Sequence, residues 1–274
     1  MDNQQIIART LDDIMHNYPY NIMASVYRHA EQQVDNTLGG NCIDMSRRIA
    51  EILGEHDIET SYLRSFPQEG DRFGRHYAVC AKDGADLFYL DATLLMKKPV
   101  NLAHAVNNDS HSVCVDAYPL SQTVSLGYNP HRHLMAVSRS IRIGGILTQN
   151  RTLYEFDVNQ HYELPEHTED WFIYHPEQKN LFIMVFETET ESTIMLTYSV
   201  NNARKMSPSK EHLKVRISHG KLVDCGQNPV LFVEGLRRMC NVLHCSPESL
   251  KEFMLEGVRL YRKNLPNYNV RVNN

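Results

Sequence analysis

The chain has 274 residues, 42% of them hydrophobic and 22% charged, an ordinary balance for a soluble globular protein with more than one packed subdomain. Its formal charge of −5 argues against a dedicated nucleic-acid binder, whose phosphate contacts need clustered Lys and Arg. No apolar run approaches the ~20 residues that span a bilayer. The N-terminus MDNQQIIARTLDDIM is polar and acidic where a secretory signal is basic and then apolar. A cytoplasmic protein without membrane or nucleic-acid partners is therefore expected. Six cysteines (42, 80, 114, 225, 240 and 245) are too few and too scattered for a disulfide scaffold.

Over residues 3–17, Ile6, Ile7, Leu11, Ile14 and Met15 recur at helical spacing, and Pro19 ends that helix. A second helix is predicted in NIMASVYRHAEQQV, with Ile22, Val26 and Ala30 on one face. DNTLGGN (35–41) breaks the chain, and a third helix starts at Cys42 and stops at Gly54, with Met45, Ile49, Ile52 and Leu53 in one stripe. The period then changes. IETSYLRSF (58–66) alternates, RHYAVCA (75–81) reads as a strand, and KDGAD (82–86) reads as a hairpin turn into LFYLDATLL (87–95). Residues 99–150 show loop markers at GYNP and IGGI and no clear period. Strands are predicted at TLYEFDV, DWFIYH, NLFIMVFET, TIMLTYS and LKVRIS, spaced as hairpins of an antiparallel sheet or small barrel. Asn228-Pro229 and Ser246-Pro247 open two closing helices. The plan is α+β.

Within LGGNCIDMSRR, Cys42 has three readings: a buried small side chain, a metal ligand or a nucleophile. A nucleophilic cysteine needs its thiolate, favoured by a helix N-terminus, an adjacent imidazole and a third group that fixes the imidazole. Cys42 begins a helix, His76 begins a strand, and Asp91 lies on the strand paired with it. With a turn centred at Asp83-Gly84, His76 and Asp91 fall opposite one another on one sheet face, Cβ atoms ~5 Å apart.

Other clusters carry plainer readings. His131-x-His133, and Cys240 with His244 and Cys245, lack the paired spacing of a structural zinc motif, so no metal is expected. His104 and His111 sit in a polar segment and read as solvated, and Trp171 reads as core. The locally basic NNARKMSPSKEHLK (201–214) is a solvated loop or a contact for nucleotide phosphates.

GGNCIDMSRRIAEIL, HYAVCA and FYLDATLL together resemble the three catalytic blocks of the arylamine N-acetyltransferases. The resemblance implies an N-terminal helical domain (1–80), a central antiparallel β-barrel (81–200) and a C-terminal α/β lid (201–274). It also implies ping-pong acyl transfer to an amine through a Cys42 acyl-enzyme. His76 would move the proton and Asp91 would orient His76. Gly39, Gly40 and Asn41 would form the turn at the oxyanion side, with the Cys42 N–H as one oxyanion donor. No cofactor need stay bound, and the co-substrate would be acyl-CoA or a phosphopantetheine thioester on an acyl carrier protein. Three departures remove the arylamine acceptor from what is carried over. Leu38 stands where the family has Arg, and Asp44, Met45 and Ser46 replace its Glu and polar run. DATLL follows the pattern of transglutaminase-like proteins. A transglutaminase-like or papain-like enzyme acting on amides, or a non-catalytic binding protein on the same scaffold, would use the same residues differently.

Overall fold

Apolar periodicity sets the N-terminal helices. Ile7, Leu11, Ile14 and Met15 form the buried stripe of α1 (Asn3–Asn17). After the short strand β1 (Tyr20–Asn21), the Asn21 side chain caps α2 (Ile22–His29) by accepting from the Ala24 N–H at 3.2 Å. The second helix is shorter than its sequence period suggests. Glu31 takes a left-handed φ of 57°, and the Ala30 N–H turns back to the carbonyls of Val26 and Tyr27. The third helix, α3 (Cys42–Gly54), buries Cys42, Ile43, Met45, Ser46, Ile49 and Leu53.

The chain then forms β2 (Thr60–Arg64), β3 (Tyr77–Asp83), β4 (Asp86–Leu90), β5 (Val100–Asn101) and α4 (Leu102–Asn107). Residues 99–150, opaque by period, supply much of a second sheet. Its strands are β6 (Val113–Ala117), β7 (Gln122–Asn129), β8 (Leu134–Ile143) and β9 (Ile146–Phe156). At IGGI, Ile143 pairs with Ile146 across the long β8–β9 hairpin, and Gly145 sits at φ 80°. There follow β10 (Asn180–Glu187), β11 (Ser192–Ser199), α5 (Val200–Lys205) and β12 (Leu213–Ile217). The closing helices are α6 (Pro229–Leu243) and α7 (Pro247–Val272). Asn228 caps the first through the Leu231 N–H at 3.0 Å, and Ser246 accepts from the Ser249 N–H at 3.1 Å.

This computed structural model describes residues 1–66, 76–107, 112–119, 122–129, 131–143, 145–164 and 178–272. The predicted strand DWFIYH, Trp171 and His111 lie outside them.

Two compact units divide the chain: residues 1–17 with 42–164, and residues 18–41 with 165–274. The first holds α1, α3 and α4 with two antiparallel sheets, in strand orders β2-β3-β4-β5 and β6-β7-β8-β9. There α3 packs on β3 and α1, and β3 is buried from Tyr77 to Ala81. The second holds α2, α5, α6 and α7 with a sheet of order β1-β10-β11-β12. The chain is α+β, as its element order predicts. Among the described residues no sheet closes into the expected barrel. One reason lies in β10, whose two edges are taken by β1 and β11, leaving none for β9. No helix among the described residues is long and apolar enough to cross a membrane.

The Gly-Gly turn serves the second unit. Gly40 donates its N–H to the Pro19 carbonyl at 3.1 Å and accepts from the Asn21 N–H at 2.7 Å. Gly39 sits at φ 75°, and a Cβ there would lie 1.9 Å from the Pro19 carbonyl oxygen. Gly39→Ala should therefore cost at least about 2 kcal/mol, since backbone cannot yield as a side chain can. At Gly54 the same addition meets nothing within 4 Å, and Gly54→Ala should gain about 0.5 kcal/mol. Urea unfolding of both variants checks the contrast; equal effects would dismiss the close approach at Gly39.

Candidate active site

Cys42, His76 and Asp91 reach the site from three different elements of the first unit. Cys42 is the first residue of α3. One turn on, the Ser46 hydroxyl donates to the Tyr77 carbonyl at 3.2 Å, tying that helix to the start of β3. His76 immediately precedes β3, and Ser65 holds both its backbone groups. The His76 N–H donates to Ser65 Oγ at 3.0 Å, and its carbonyl accepts from the Ser65 N–H at 2.9 Å. Asp91 immediately follows β4 and caps a short 3-10 turn, Ala92–Leu94.

The hairpin between them turns one residue later than its sequence implies. Asp83 pairs with Asp86, so Gly84 and Ala85 form the loop, with Gly84 at φ 60°. Val79 faces Leu90, and continuing that register sets Asp91 against residue 78, one diagonal step from His76. The displacement is even, so both side chains keep the same face and remain within reach.

The contacts are closely specified. His76 Nε2 and Asp91 Oδ2 are 2.6 Å apart, and the same oxygen accepts from the Tyr89 hydroxyl at 2.9 Å. Asp91 Oδ1 accepts from the Thr93 N–H at 3.0 Å and the Thr93 hydroxyl at 2.6 Å. The Cys42 thiol lies near enough to the imidazole to raise its proton affinity, and Nδ1 is the ring nitrogen Asp91 leaves open. Tyr154 stacks on the His76 ring, centroids 4.1 Å apart and planes 8° from parallel. Cys42, His76 and Asp91 are 1%, 7% and 2% exposed, so water screens these interactions little.

Burial works against charge on His76. The Asp91 carboxylate, then Tyr154, the bond to Asp91 and the nearby Cys42 thiol outweigh it and hold the imidazole pKa well above its usual value. Burial also opposes ionisation of Asp91, yet His76, Thr93 and Tyr89 keep its carboxyl below the usual range. The arrangement is an imidazolium held by a carboxylate on one side and facing a thiol on the other. Such a pair can stabilise a thiolate and return a proton to a leaving group.

The other candidates differ. Burial pushes the Cys80 thiol up to about 11, and burial together with Cys245 pushes Cys240 up to about 12. His133 accompanies the Tyr128 hydroxyl at 3.2 Å, and His104 is exposed. In the basic segment, Lys210 meets Glu248 and Glu252, each at 3.0 Å. No group of three or more His, Cys, Asp and Glu among the described residues could hold a metal ion.

Several neighbours were not singled out by sequence. Thr93 had a readable signal, an Asx-turn pattern in Asp91-Ala-Thr93, and Tyr89 shares a strand face with Asp91 at a spacing of two. Ser46, Ser65 and Tyr154 had none.

The solved structure of M. smegmatis arylamine N-acetyltransferase resembles this chain with a TM-score of 0.57. The match covers 94% of this chain and 92% of that one, at 14% identity. The fold is that of the arylamine N-acetyltransferases. The Mycobacterium marinum arylamine N-acetyltransferase, solved in complex with CoA, gives 0.56 over 93% of this chain and 94% of its own, at 13% identity. The arylamine N-acetyltransferase from Salmonella typhimurium gives 0.53 over 86% of each chain, at 12% identity. No protein-family model and no curated protein sequence matches the chain.

One consequence of the ion pair can be measured directly. Asp91→Asn removes the largest favourable charge beside a buried imidazolium, so the His76 pKa must fall. Ring NMR signals followed against pH should show that drop, with circular dichroism confirming the fold. An unchanged His76 titration would mean that Asp91 does not hold the proton.

Proposed function

We propose that this protein is an acyltransferase that moves an acyl group from a thioester to an amine through a Cys42 acyl-enzyme. One observation carries the proposal: a buried Asp91–His76 pair, 2.6 Å apart, lies near the thiol of the first residue of a helix. The arylamine N-acetyltransferase fold supports the same reading, and the CoA complex of the M. marinum protein supports a CoA thioester as donor. A phosphopantetheine thioester on an acyl carrier protein presents the same reacting group.

In the first step the Cys42 thiolate attacks the thioester carbonyl carbon. Negative charge passes to the carbonyl oxygen, where the Cys42 N–H is a donor that the helix itself leaves unpaired. As the tetrahedral species collapses, the carbon–sulfur bond to the donor breaks and His76 gives that leaving thiolate its proton. In the second step the neutral amine attacks the acyl-cysteine, and His76 takes the proton the amine sheds. Collapse then releases the amide and the Cys42 thiolate. Asp91 keeps Nε2 protonated and directs Nδ1 at the reacting atoms, while Ser46 and Ser65 fix the helix and strand that present them.

Intact-protein mass after brief incubation with acetyl-CoA, longer acyl-CoAs and acyl-pantetheine tests this. Wild type should gain one acyl group and Cys42→Ala none, with Asp91→Asn acylated roughly 10²- to 10⁴-fold more slowly. An adduct that survives in Cys42→Ala would defeat the mechanism. An unacylated Cys42 that iodoacetamide still alkylates rapidly would point instead to amide substrates.

A further inference from the structure

Arg139 on β8 and Arg151 on β9 are register partners. Directly opposite residues project from one sheet face, where two like charges repel. That face is the one bearing the site. Val137, two residues before Arg139, is opposite Tyr154, whose ring stacks on His76. The register shifts between Val137 and Ser138, so Leu153 is an extra residue in β9. This bulge lets Tyr154 and Arg151 share a face although an odd number of positions separates them. Across β8's other edge, Arg139 faces Val124, which is fully buried.

The Arg139 side chain is left unsatisfied in this setting. Its Nε is buried with no hydrogen-bond partner among the described residues. Among those residues, no carboxylate bonds or ion-pairs with either guanidinium. Asp91 is near enough to be felt by Arg139, but its four hydrogen bonds go to His76, Tyr89 and Thr93. Burial loosens the guanidinium's hold on its proton; Tyr154 and Asp91 oppose that loss and Arg151 adds to it. Arg151 is exposed while Arg139 is half-buried, so the pair runs from solvent inward. A buried donor without an acceptor and an opposed pair of cations are both unfavourable, and an anion between them relieves both. A carboxylate fits best, since its two oxygens match the planar fork of a guanidinium.

We infer that Arg139 and Arg151 form a subsite for a carboxylate on the substrate, beside His76 and Tyr154. What the carboxylate is attached to rests on the acyl-transfer reading: it is the far end of the acyl group or a substituent of the amine acceptor. Either way the subsite would select charged over neutral substrates of the same shape.

Binding tests the subsite without turnover. Acetate, succinate and benzoate would be titrated into wild type, Arg139→Gln and Arg151→Gln by calorimetry, each against its neutral amide. At least one carboxylate should bind wild type roughly 10- to 100-fold more tightly than its amide, and each substitution should collapse that ratio. Should Arg139→Gln not fold, the exposed Arg151→Gln and the wild-type preference still decide. No preference for any carboxylate, or one that survives both substitutions, overturns the subsite. Two further arms locate the charge. Faster Cys42 acylation by succinyl-CoA than by acetyl-CoA places it on the acyl group; preference for 4-aminobenzoate over 4-aminobenzamide places it on the acceptor. If no thioester acylates Cys42 while carboxylates still bind through Arg139, acyl transfer fails and the anion subsite stands.

Discussion

A carboxylate withdrawn from water stays ionised only where the protein replaces the hydrogen bonds that water made. Asp91 meets that condition with four donors, two on each oxygen, drawn from His76, Tyr89 and Thr93. The position of the Thr93 donors follows from the chain turning sharply at Asp91, which lies between β4 and the 3-10 turn it caps. Without that turn the carboxylate would be a buried charge short of partners. Breaking one side of such a pair costs about 3–5 kcal/mol, a large share of a domain's net stability. The ionised Asp91 in turn keeps a buried imidazole charged, against the pull of its own burial.

Orientation is enforced from outside the pair. Ser65 fixes the His76 backbone from β2's end of the sheet, and Ser46 fixes the Cys42 helix to the next residue, Tyr77. The Ser46 hydroxyl thereby ties the helix start to the strand start, and Ser65 holds that strand start from the end of β2. Tyr154 closes one face of the imidazole, so the ring cannot rotate freely about its plane. Cys80 and Cys240 have no such surroundings: burial raises the first thiol, and burial together with Cys245 raises the second.

Much of this was legible because local rules governed it. The Cys42 helix, the His76–Asp91 hairpin and the Pro-started closing helices all came from spacing, caps and turn residues. The hairpin's register was read one residue short at its tip, yet the face survived because the error moved the partner by two. Long-range facts were hidden. Within residues 99–150 the alternation is short: β7 buries every second residue only as far as Leu126, β8 loses its buried positions after Val137, and β9 begins exposed. The bulge at Leu153 then broke the parity that would have linked Tyr154 to Arg151. That no barrel closes among the described residues has a related reason: hairpin spacing reveals neighbours in sequence, but not that β10 would take Tyr20 and Asn21 as its edge.

The way the chain crosses between its two units bears on how it can be made. Residues 18–41 belong with 165–274, and the strand at Tyr20 finds its partner only at Met184. During synthesis from the N-terminus, the apolar side of α2 (Ile22, Met23, Val26 and Tyr27) emerges long before β10 or α7 exists to cover it. The first unit can assemble meanwhile, since everything it needs lies before residue 165. Folding is thus ordered by topology, with an early-made segment waiting exposed on a late-made one. That waiting interval is where aggregation and chaperone binding would act, and no single cut in the chain can separate the two units into intact pieces.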